Sequence, residues 1–405
     1  MVNLRELVLE SLMEILERGQ YSHIVEKAVL DKADYLNKSD KSYIKRMVEG
    51  TVEKVLVLDE VLNGFLKTPL SGMKPLIRTV LRMGAYEILF MDKTPGYAAV
   101  NDAVNLTKKH GFKNLAPLVN GVLRNVERNA SKLNLDSICP IPEWMKNHFE
   151  KSYGTEKTKE IITGISGEHP VTLRRRNPGA DVSKLIKHPF ENEAFILPKG
   201  MSLSEVKGFD EGDFTVQDIS SMSVCLMAGI EEGMKVLDVC AAPGGKSLHA
   251  YDLGGQVISR DVSENKVALI NENIKRCRAA GIKTEVFDAT QKDPKMENSV
   301  DILIADVPCS GLGVISKKSD ILTKLKEEDF EKITLLQKQI IDTVFSYVKP
   351  GGTMMYSTCT LNPSENEQMA EYIKKLGFTL MEEKTFFPKN YENDGFYVAR
   401  LRRND

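Results

Sequence analysis

The fold of the C-terminal half is decided by residues 235–247, which read KVLDVCAAPGGKS. The apolar run at 235–239 is typical of a buried parallel strand, and the small residues after it predict a tight turn onto a helix. Small side chains in such a turn let a ligand approach the backbone, and the first helical turn leaves N–H groups free to bind it. The stretch therefore predicts a Rossmann-like α/β domain with a cofactor at its first turn.

Lys246 is the unusual residue of this turn. A cation in the first turn of a helix opposes the helix dipole. We therefore expect an anionic partner beside it, or a neighbouring carboxylate such as Asp238.

Two further predicted strands, 256–259 and 283–287, are each followed by an acidic residue. Asp261 is placed to bind a ribose diol, and Asp288 is placed to accept a hydrogen bond from an adenine amino group. Either acid alone would more often be a surface residue, but three strand ends in succession predict an adenosine-containing cofactor. A dinucleotide enzyme is the alternative, and it is disfavoured because no GxGxxG opens the first helix.

Two cysteines follow the next two apolar runs. Cys309 ends DVPC at 306–309, after the run at 301–305, and Cys359 ends YSTC at 356–359. Because parallel strands bind ligands beyond their carboxyl ends, both thiols are expected to face one crevice. A small buried hydrophobe is the usual alternative for a free cysteine, but two loop positions favour covalent chemistry.

The first 130 residues predict a helical bundle. Leu4, Val8 and Leu12 lie on one face of an amphipathic helix that ends near Gly19. Residues 76–90 combine an apolar face with arginines on the other side. The segments AAVNDAVNLTK at 98–108 and LVNGVLR at 118–124 resemble the NusB-type RNA-binding domain, and the resemblance covers residues 3–130. The basic residues that could meet RNA here are Lys108, Lys109, Lys113, Arg124 and Arg128.

Pro140 and Pro142 mark a linker, after which the pattern changes. Helices at 143–149 and 155–165 and short strands at 171–174 and 194–197 predict a small α+β unit. Its basic triplet Arg174-Arg175-Arg176 stands at a strand end where it could meet phosphate. The expected organisation is an all-α bundle at 1–133, a small α+β domain at 134–210 and the α/β domain at 211–405.

Composition is that of an ordinary soluble chain of several domains, with 405 residues, 42% hydrophobic, 28% charged and a net charge of −2. No apolar run approaches the roughly 18 residues of a membrane span, and the N-terminus lacks the pattern of a signal peptide. The six cysteines form no CxxC, so neither disulfides nor a metal site is suggested. We expect a cytoplasmic protein without metal.

The residues 238–246, 306–311 and 356–367, with QDISS at 217–221 and GFYVARL at 395–401, resemble the motifs of the RNA cytosine-5 methyltransferases. This resemblance spans residues 135–402. Together with the NusB-like front it implies a multidomain, class I methyltransferase that acts on bacterial 16S rRNA.

The resemblance implies roles for individual residues. Cys359 would attack carbon 6 of cytosine, Cys309 would assist product release, and Asp306 would hydrogen-bond the cytosine edge. S-adenosylmethionine would be the cofactor. Its expected binding residues are Cys240, Ala241, Ala242, Pro243, Gly244, Gly245, Lys246, Asp261, Asp288 and Asp306. Cys240 is expected to pack the turn rather than to react.

Several points stay open at this level. The sequence of Pro308 and Cys309 also resembles the nucleophile motif of DNA cytosine-5 methyltransferases, so which thiol attacks is not decided by the residues alone. Residues 316–323 depart from the family pattern, although Lys317, Lys318 and Asp320 keep part of it. The expected partner is 16S rRNA, protein-free or in an early assembly intermediate, bound by a monomer. The alternatives are tRNA or another RNA as substrate, or a non-catalytic RNA-binding factor.

Overall fold

The structure, a computed structural model, describes residues 3–32, 35–92, 94–167, 169–389 and 392–405. It divides into two compact units. One comprises residues 1–148 with 319–325, and the other comprises residues 149–318 with 326–405.

The first unit is helical, as predicted. Its core is formed by apolar side chains spaced three and four residues apart, among them Leu58, Val80 and Leu123, each 0% exposed. The side chain of Asn3 caps the first helix, which continues beyond Leu12 as a π-helical turn, Met13–Glu17. The helices are α1 (Leu4–Leu12), α2 (Ser22–Lys32), α3 (Lys38–Glu53), α4 (Val55–Asn63), α5 (Pro75–Phe90), α6 (Gly96–Lys109) and α7 (Ala116–Asn129).

Buried carboxylates of the first unit are held by arginines and a tyrosine. Glu87 is 1% exposed and accepts hydrogen bonds from both Arg5 and Tyr43, whose hydroxyl lies 3.1 Å from Oε1. Arg82 of α5 donates two hydrogen bonds of 2.7 Å to Asp59. The arginines of α5 that the sequence places opposite its apolar face therefore stabilise the bundle.

The helix α8 (Glu143–Ser166) is interrupted at Gly154, whose φ of +78° is non-helical. The interruption agrees with the two helices predicted on either side of it. A four-stranded antiparallel sheet follows, in the order β2-β3-β1-β4. Its strands are β1 (Thr172–Arg175), β2 (Ile186–Lys187), β3 (Ala194–Ile196) and β4 (Phe214–Val216). The three-part division of the chain stays a prediction.

The second unit is built on a seven-stranded sheet in the order β10-β11-β9-β8-β5-β6-β7. Five neighbouring strands are parallel, as expected, while β10 and β11 form an antiparallel hairpin at one edge. The strands are β5 (Lys235–Asp238), β6 (Gln256–Asp261), β7 (Lys283–Val286), β8 (Val300–Asp306), β9 (Val348–Thr358), β10 (Phe378–Phe386) and β11 (Phe396–Arg403).

Helices cover this sheet and leave its central strands fully buried, with Leu237, Leu303 and Met354 each 0% exposed. They are α9 (Ile219–Ala228), α10 (Gly245–Asp252), α11 (Glu264–Arg276), α13 (Asp329–Val344) and α14 (Glu367–Lys375); the short α12 (Ile321–Lys324) belongs to the first unit. Among the helices that the structure describes, none is long and apolar enough to span a bilayer.

Candidate active site

The strand order creates a crevice beside β5. From β5 the chain moves outward to β6 and β7, then returns to the other side of β5 as β8 and continues to β9. Such a reversal leaves an opening beyond the carboxyl ends of the two central strands, where ligands bind in open α/β sheets. The turn at 239–246 follows β5, and the segment at 306–309 follows β8, so both predicted motifs meet at this opening.

The turn after β5 is fixed by its own backbone and by Asp261. The amide of Ala242 donates a 2.9 Å hydrogen bond to Asp261 Oδ2, and Gly244 closes the turn with a φ of +102° that disfavours any side chain. At Gly245 an added Cβ would meet no atom within 4 Å. The first residue of α10 thus borders open space, and a ligand can approach its backbone.

Asp238 at the end of β5 is a buried carboxylate with incomplete hydrogen bonding. It is 1% exposed, and its Oδ2 accepts a 2.7 Å hydrogen bond from Ser247. Its Oδ1 is buried with no partner among the described residues. Burial raises the pKa of Asp238 to about 7. A cationic ligand group would satisfy this oxygen, and the sequence interpretation did not include Asp238 among the cofactor residues.

Lys246 has the anionic partner that its position predicts, but the partner is Asp306. Lys246 Nζ lies 2.6 Å from Asp306 Oδ2, and Asp306 Oδ1 accepts a 2.7 Å hydrogen bond from Ser357. Burial alone would lower the pKa of Lys246, but the charges of Asp306 and Asp238 outweigh burial and raise it. Asp238 therefore acts on Lys246 through its charge, while Asp306 makes the direct contact.

The two predicted nucleoside acids also lie at strand ends. Asp261 accepts hydrogen bonds from Ala242 and Val262 and pairs with Lys266 at 3.1 Å. A carboxylate has about four acceptor positions, so one remains for a ligand hydroxyl. Asp288 is half-buried, and its Oδ1 is fixed by the amide and hydroxyl of Thr290 at 2.9 and 2.7 Å.

The two thiols face one another, as the strand ends predict. Residues Asp306 and Ser357 are paired in register between β8 and β9, and Cys309 Sγ lies 3.2 Å from Cys359 Sγ. Both cysteines are half-buried. The hydrogen bond between them lowers the pKa of Cys359 and raises that of Cys309 well above its usual range. The charges of Lys318 and Lys246 lower the pKa of Cys359 further, so of the two thiols Cys359 ionises more readily.

Cys240 is the third cysteine near the site. It is half-buried beside the core of the sheet, and burial raises its pKa above the range of a reactive thiol. Its role as a small residue that packs the turn stays a prediction.

A buried polar network joins the two cysteine loops, and the sequence interpretation missed it. Gln337 and Glu365 are each 0% exposed and are hydrogen-bonded to one another at 3.0 Å. Ser310 beside Cys309 and Thr360 beside Cys359 share a 2.6 Å hydrogen bond between their hydroxyls. Glu365 lies in the segment 356–367, one of those that resemble the RNA cytosine-5 methyltransferases, but the resemblance implied no role for it.

The segment after Cys309 packs against the start of β11. The amide of Gly313 donates to the carbonyl of Cys359 at 3.0 Å, and its own carbonyl accepts from Gly395 at 2.8 Å. A Cβ on Gly313 would lie 2.0 Å from the oxygen of Gly395, so only glycine fits. Lys317, in the part that departs from the family pattern, forms an ion pair with Asp394 at 2.7 Å, and the neighbouring Lys318 is exposed as well.

The prediction that Arg174, Arg175 and Arg176 contact RNA phosphate is wrong for Arg174, which is 4% exposed and paired with Asp252 at 2.7 Å. Arg176 pairs with the same carboxylate at 2.6 Å, and Arg175 pairs with Glu193 at 2.7 Å. Arg174 and Arg176 instead hold the small sheet against α10, which ends at Asp252.

The residues of the crevice fit S-adenosylmethionine. Its ammonium and sulfonium groups carry positive charge, which the unmatched oxygen of buried Asp238 would balance. The open space at Gly245 leaves room beside the helix terminus, and Asp261 and Asp288 offer acceptors for a ribose and an adenine. The crevice therefore combines an adenosine-type cofactor site with a thiol pair.

The sequence matches two families. Residues 225–402 match the family described as 16S rRNA methyltransferase RsmB/F, and residues 2–128 match the NusB family. A probable ribosomal RNA small subunit methyltransferase B of Bacillus subtilis (strain 168) is 32% identical over 91% of this chain and 87% of its own length. A relative of the same description from Synechocystis is 29% identical over 100% of both chains.

Two solved structures share the fold. The crystal structure of PH0851 superposes with a TM-score of 0.79 at 19% identity and covers 99% of both chains. NSun6 from Pyrococcus horikoshii, crystallised with SFG, gives a TM-score of 0.57 at 20% identity over 65% of this chain and 98% of its own.

Proposed function

Because the chain belongs to the RsmB/F family of 16S rRNA methyltransferases and is an S-adenosylmethionine-dependent methyltransferase, we propose that it methylates carbon 5 of a cytosine in 16S rRNA through a covalent cysteine–cytosine intermediate. The observation that carries this proposal is the contact between Cys309 and Cys359 beside the cofactor crevice. Carbon 5 of cytosine is a weak nucleophile, and addition of a thiolate to carbon 6 converts the ring into a reactive enamine.

Cys359 is the attacking sulfur in this proposal. Its lowered pKa, due first to the hydrogen bond from Cys309, increases the fraction of thiolate near neutral pH. The bond that forms joins Cys359 Sγ to carbon 6, and the electron pair moves to carbon 5. The charge of Lys318 favours the same thiolate.

Asp306 and Lys246 orient the cytosine ring. The carboxylate of Asp306 is fixed by Ser357 and Lys246, so it can accept a hydrogen bond from the ring edge without rearranging. S-adenosylmethionine, when bound, supplies an electrophilic methyl group for carbon 5. Asp238, the turn at 240–246, Asp261 and Asp288 are the residues that would hold it.

Cys309 acts in product release. Loss of the proton from carbon 5 restores the aromatic ring as the bond between carbon 6 and Cys359 breaks, and the sulfur leaves with its electron pair. Cys309 Sγ lies 3.2 Å from Cys359 Sγ, so it is placed to give its proton to the departing Cys359 sulfur and to accept the proton lost from carbon 5 in its place.

The substrate cytosine must be unpaired or flipped out of its stack, because both faces of its carbon 5–carbon 6 bond have to be exposed. Lys108, Lys113 and Arg128 are exposed on the helical unit and would bind the surrounding phosphates. The proposed partner is 16S rRNA, protein-free or in an early assembly intermediate in the cytoplasm, and the proposed acting form is a monomer.

The test is to incubate the protein with methyl-labelled S-adenosylmethionine and either 16S rRNA or tRNA, and to digest each RNA to nucleosides for mass spectrometry. The proposal expects 5-methylcytidine in 16S rRNA and none with Cys359→Ala. Label in tRNA alone would establish the alternative substrate. Label at any other atom of any base would contradict the cytosine-5 chemistry.

A further inference from the structure

We propose that Gln337 and Glu365, neither of which reaches the crevice, are positioning residues that hold the Cys309 thiol against Cys359. The inference rests on the proposed function, because it assigns these two residues a part in the same reaction. It arises from the hydrogen bonds on either side of Cys309 and from the burial of both side chains.

The peptide groups that flank Cys309 are bound from both sides. Gln337 Nε2, on α13, donates a 2.9 Å hydrogen bond to the carbonyl of Pro308. Glu365 Oε2 accepts a 2.9 Å hydrogen bond from the amide of Ser310. Because the peptide groups before and after Cys309 are both fixed, the direction of its Cα–Cβ bond is fixed with them, and the contact with Cys359 completes the placement of the sulfur.

The two anchors are bound to each other and to the second cysteine loop. Gln337 Nε2 also donates to Glu365 Oε2 at 3.0 Å, and Glu365 Oε1 accepts from Asn362 at 2.9 Å. Tyr356 of β9 donates to the carbonyl of Glu365 at 2.6 Å. A single buried pair therefore links α13, the Cys309 loop and the Cys359 loop.

Burial makes these hydrogen bonds necessary. Gln337 and Glu365 are each 0% exposed, and polar groups removed from water are stable only where their hydrogen bonds are made. Burial raises the pKa of Glu365, while its donors Ser310, Asn362 and Gln337 act in the opposite direction. These hydrogen bonds resist small shifts of the Cys309 loop more strongly than an apolar packing contact at the same place would.

The reactive consequence concerns the sulfur–sulfur contact. The hydrogen bond from Cys309 is the largest cause of the lowered pKa of Cys359, and it depends on the 3.2 Å separation of the two sulfurs. A small displacement of Cys309 would weaken that bond and raise the pKa of Cys359. The same displacement would slow the release step that Cys309 assists.

The test is the pH dependence of Cys359 alkylation by iodoacetamide, with the modified site read by mass spectrometry in the absence of RNA and cofactor. Gln337→Met keeps the size of the side chain and removes its hydrogen bonds. We expect the pH at which alkylation of Cys359 is half-maximal to rise by about one pH unit, so that the rate of alkylation at pH 7 falls about tenfold. Gln339→Met, at an exposed position of the same helix, is the control and should titrate as the wild type.

Combining Gln337→Met with Cys309→Ala distinguishes an effect that acts through Cys309 from a merely structural one. If Gln337 acts through Cys309, Gln337→Met should have no further effect on the midpoint once Cys309 is absent. An unchanged midpoint in folded Gln337→Met, or an equal shift with and without Cys309, would overturn the proposal.

Glu365→Gln provides a second variant, in which the new side chain is nearly identical in shape to the old one. It should shift the pH midpoint of alkylation in the same direction. If neither variant folds, the role of Gln337 and Glu365 is to maintain the fold, and the proposal is overturned. Since no RNA enters the measurement, its outcome is independent of whether the protein methylates cytosine.

Discussion

Glu87 of the helical unit and Asp238 of the catalytic unit are both 1% exposed, yet the chain surrounds them differently. Glu87 receives hydrogen bonds from Arg5 and Tyr43. Asp238 receives one from Ser247, and its other oxygen has no partner among the described residues. A buried charge whose partners are supplied by the chain stabilises a fold, whereas one left incompletely matched is a candidate contact for a ligand.

The largest effect is expected from a third acid, Asp306, which is paired by the chain and also faces the crevice. Asp306→Asn should lower kcat/KM for methyl transfer about a thousandfold, since it removes both the fixed acceptor and the partner of Lys246. Steady-state methylation kinetics measure the loss. Asp301→Asn, on the same strand β8 but near its opposite end, is the matched control and should keep wild-type kinetics.

The next effect concerns cofactor affinity. Asp238→Asn should weaken binding of S-adenosylmethionine about thirtyfold, or about 2 kcal/mol, because a cation–carboxylate interaction becomes a neutral one. Isothermal titration measures it. Unchanged affinity would mean that the unmatched oxygen of Asp238 does not face the cofactor.

The same carboxylate predicts a pH dependence. The pKa of Asp238 is raised to about 7, so its charge is present above that pH and is lost by protonation below it. Affinity for the cofactor should therefore fall by up to about fivefold between pH 7 and pH 6. This dependence should disappear in Asp238→Asn, and an equal dependence in both proteins would assign it to another group.

Glu87→Gln tests whether a buried carboxylate whose partners are supplied by the chain serves stability alone. The substitution should destabilise the helical unit by about 2 kcal/mol. This is less than the loss expected when a fully buried ion pair is broken, because the side chain of Arg5 is 23% exposed. Thermal unfolding followed by circular dichroism measures the change. The kcat of methyl transfer should stay at the wild-type value, and a large loss of kcat would contradict a purely structural role.

The smallest effects are expected from the basic triplet. Arg175→Ala removes an exposed pair with Glu193, which is 48% exposed, so stability should change by less than about 1 kcal/mol. RNA affinity in a filter-binding assay should not change, whereas Lys113→Ala should weaken it. The opposite result would restore the triplet as an RNA contact.

These regions also differ in how far the sequence predicts them. Cys309 and Cys359 could be placed together because each follows a buried strand and parallel strands present their ends on one side. The partner of Lys246 could not be assigned, since Asp306 is 60 residues away and its approach depends on the order of the strands. The edge hairpin of β10 and β11 has no signal that distinguishes it from further parallel strands.

Residues that serve the site from a distance were the hardest to predict. Gln337 stands on an otherwise apolar helix face, and only the folded chain shows that its amide meets Pro308 and Glu365. Arg174 was misinterpreted for the same reason, because Asp252 lies 78 residues further along the chain. Spacing in the sequence identifies strand ends, but it does not identify which distant charge will neutralise an arginine.

The proposed reaction divides two roles between the two thiols. It is tested by incubating wild type, Cys359→Ala and Cys309→Ala with S-adenosylmethionine and 16S rRNA, and by resolving protein–RNA adducts on denaturing gels. Cys359→Ala should give neither methylated product nor adduct, while Cys309→Ala should accumulate adduct because release is slowed. Adduct in Cys359→Ala and none in Cys309→Ala would exchange the two roles and contradict the account.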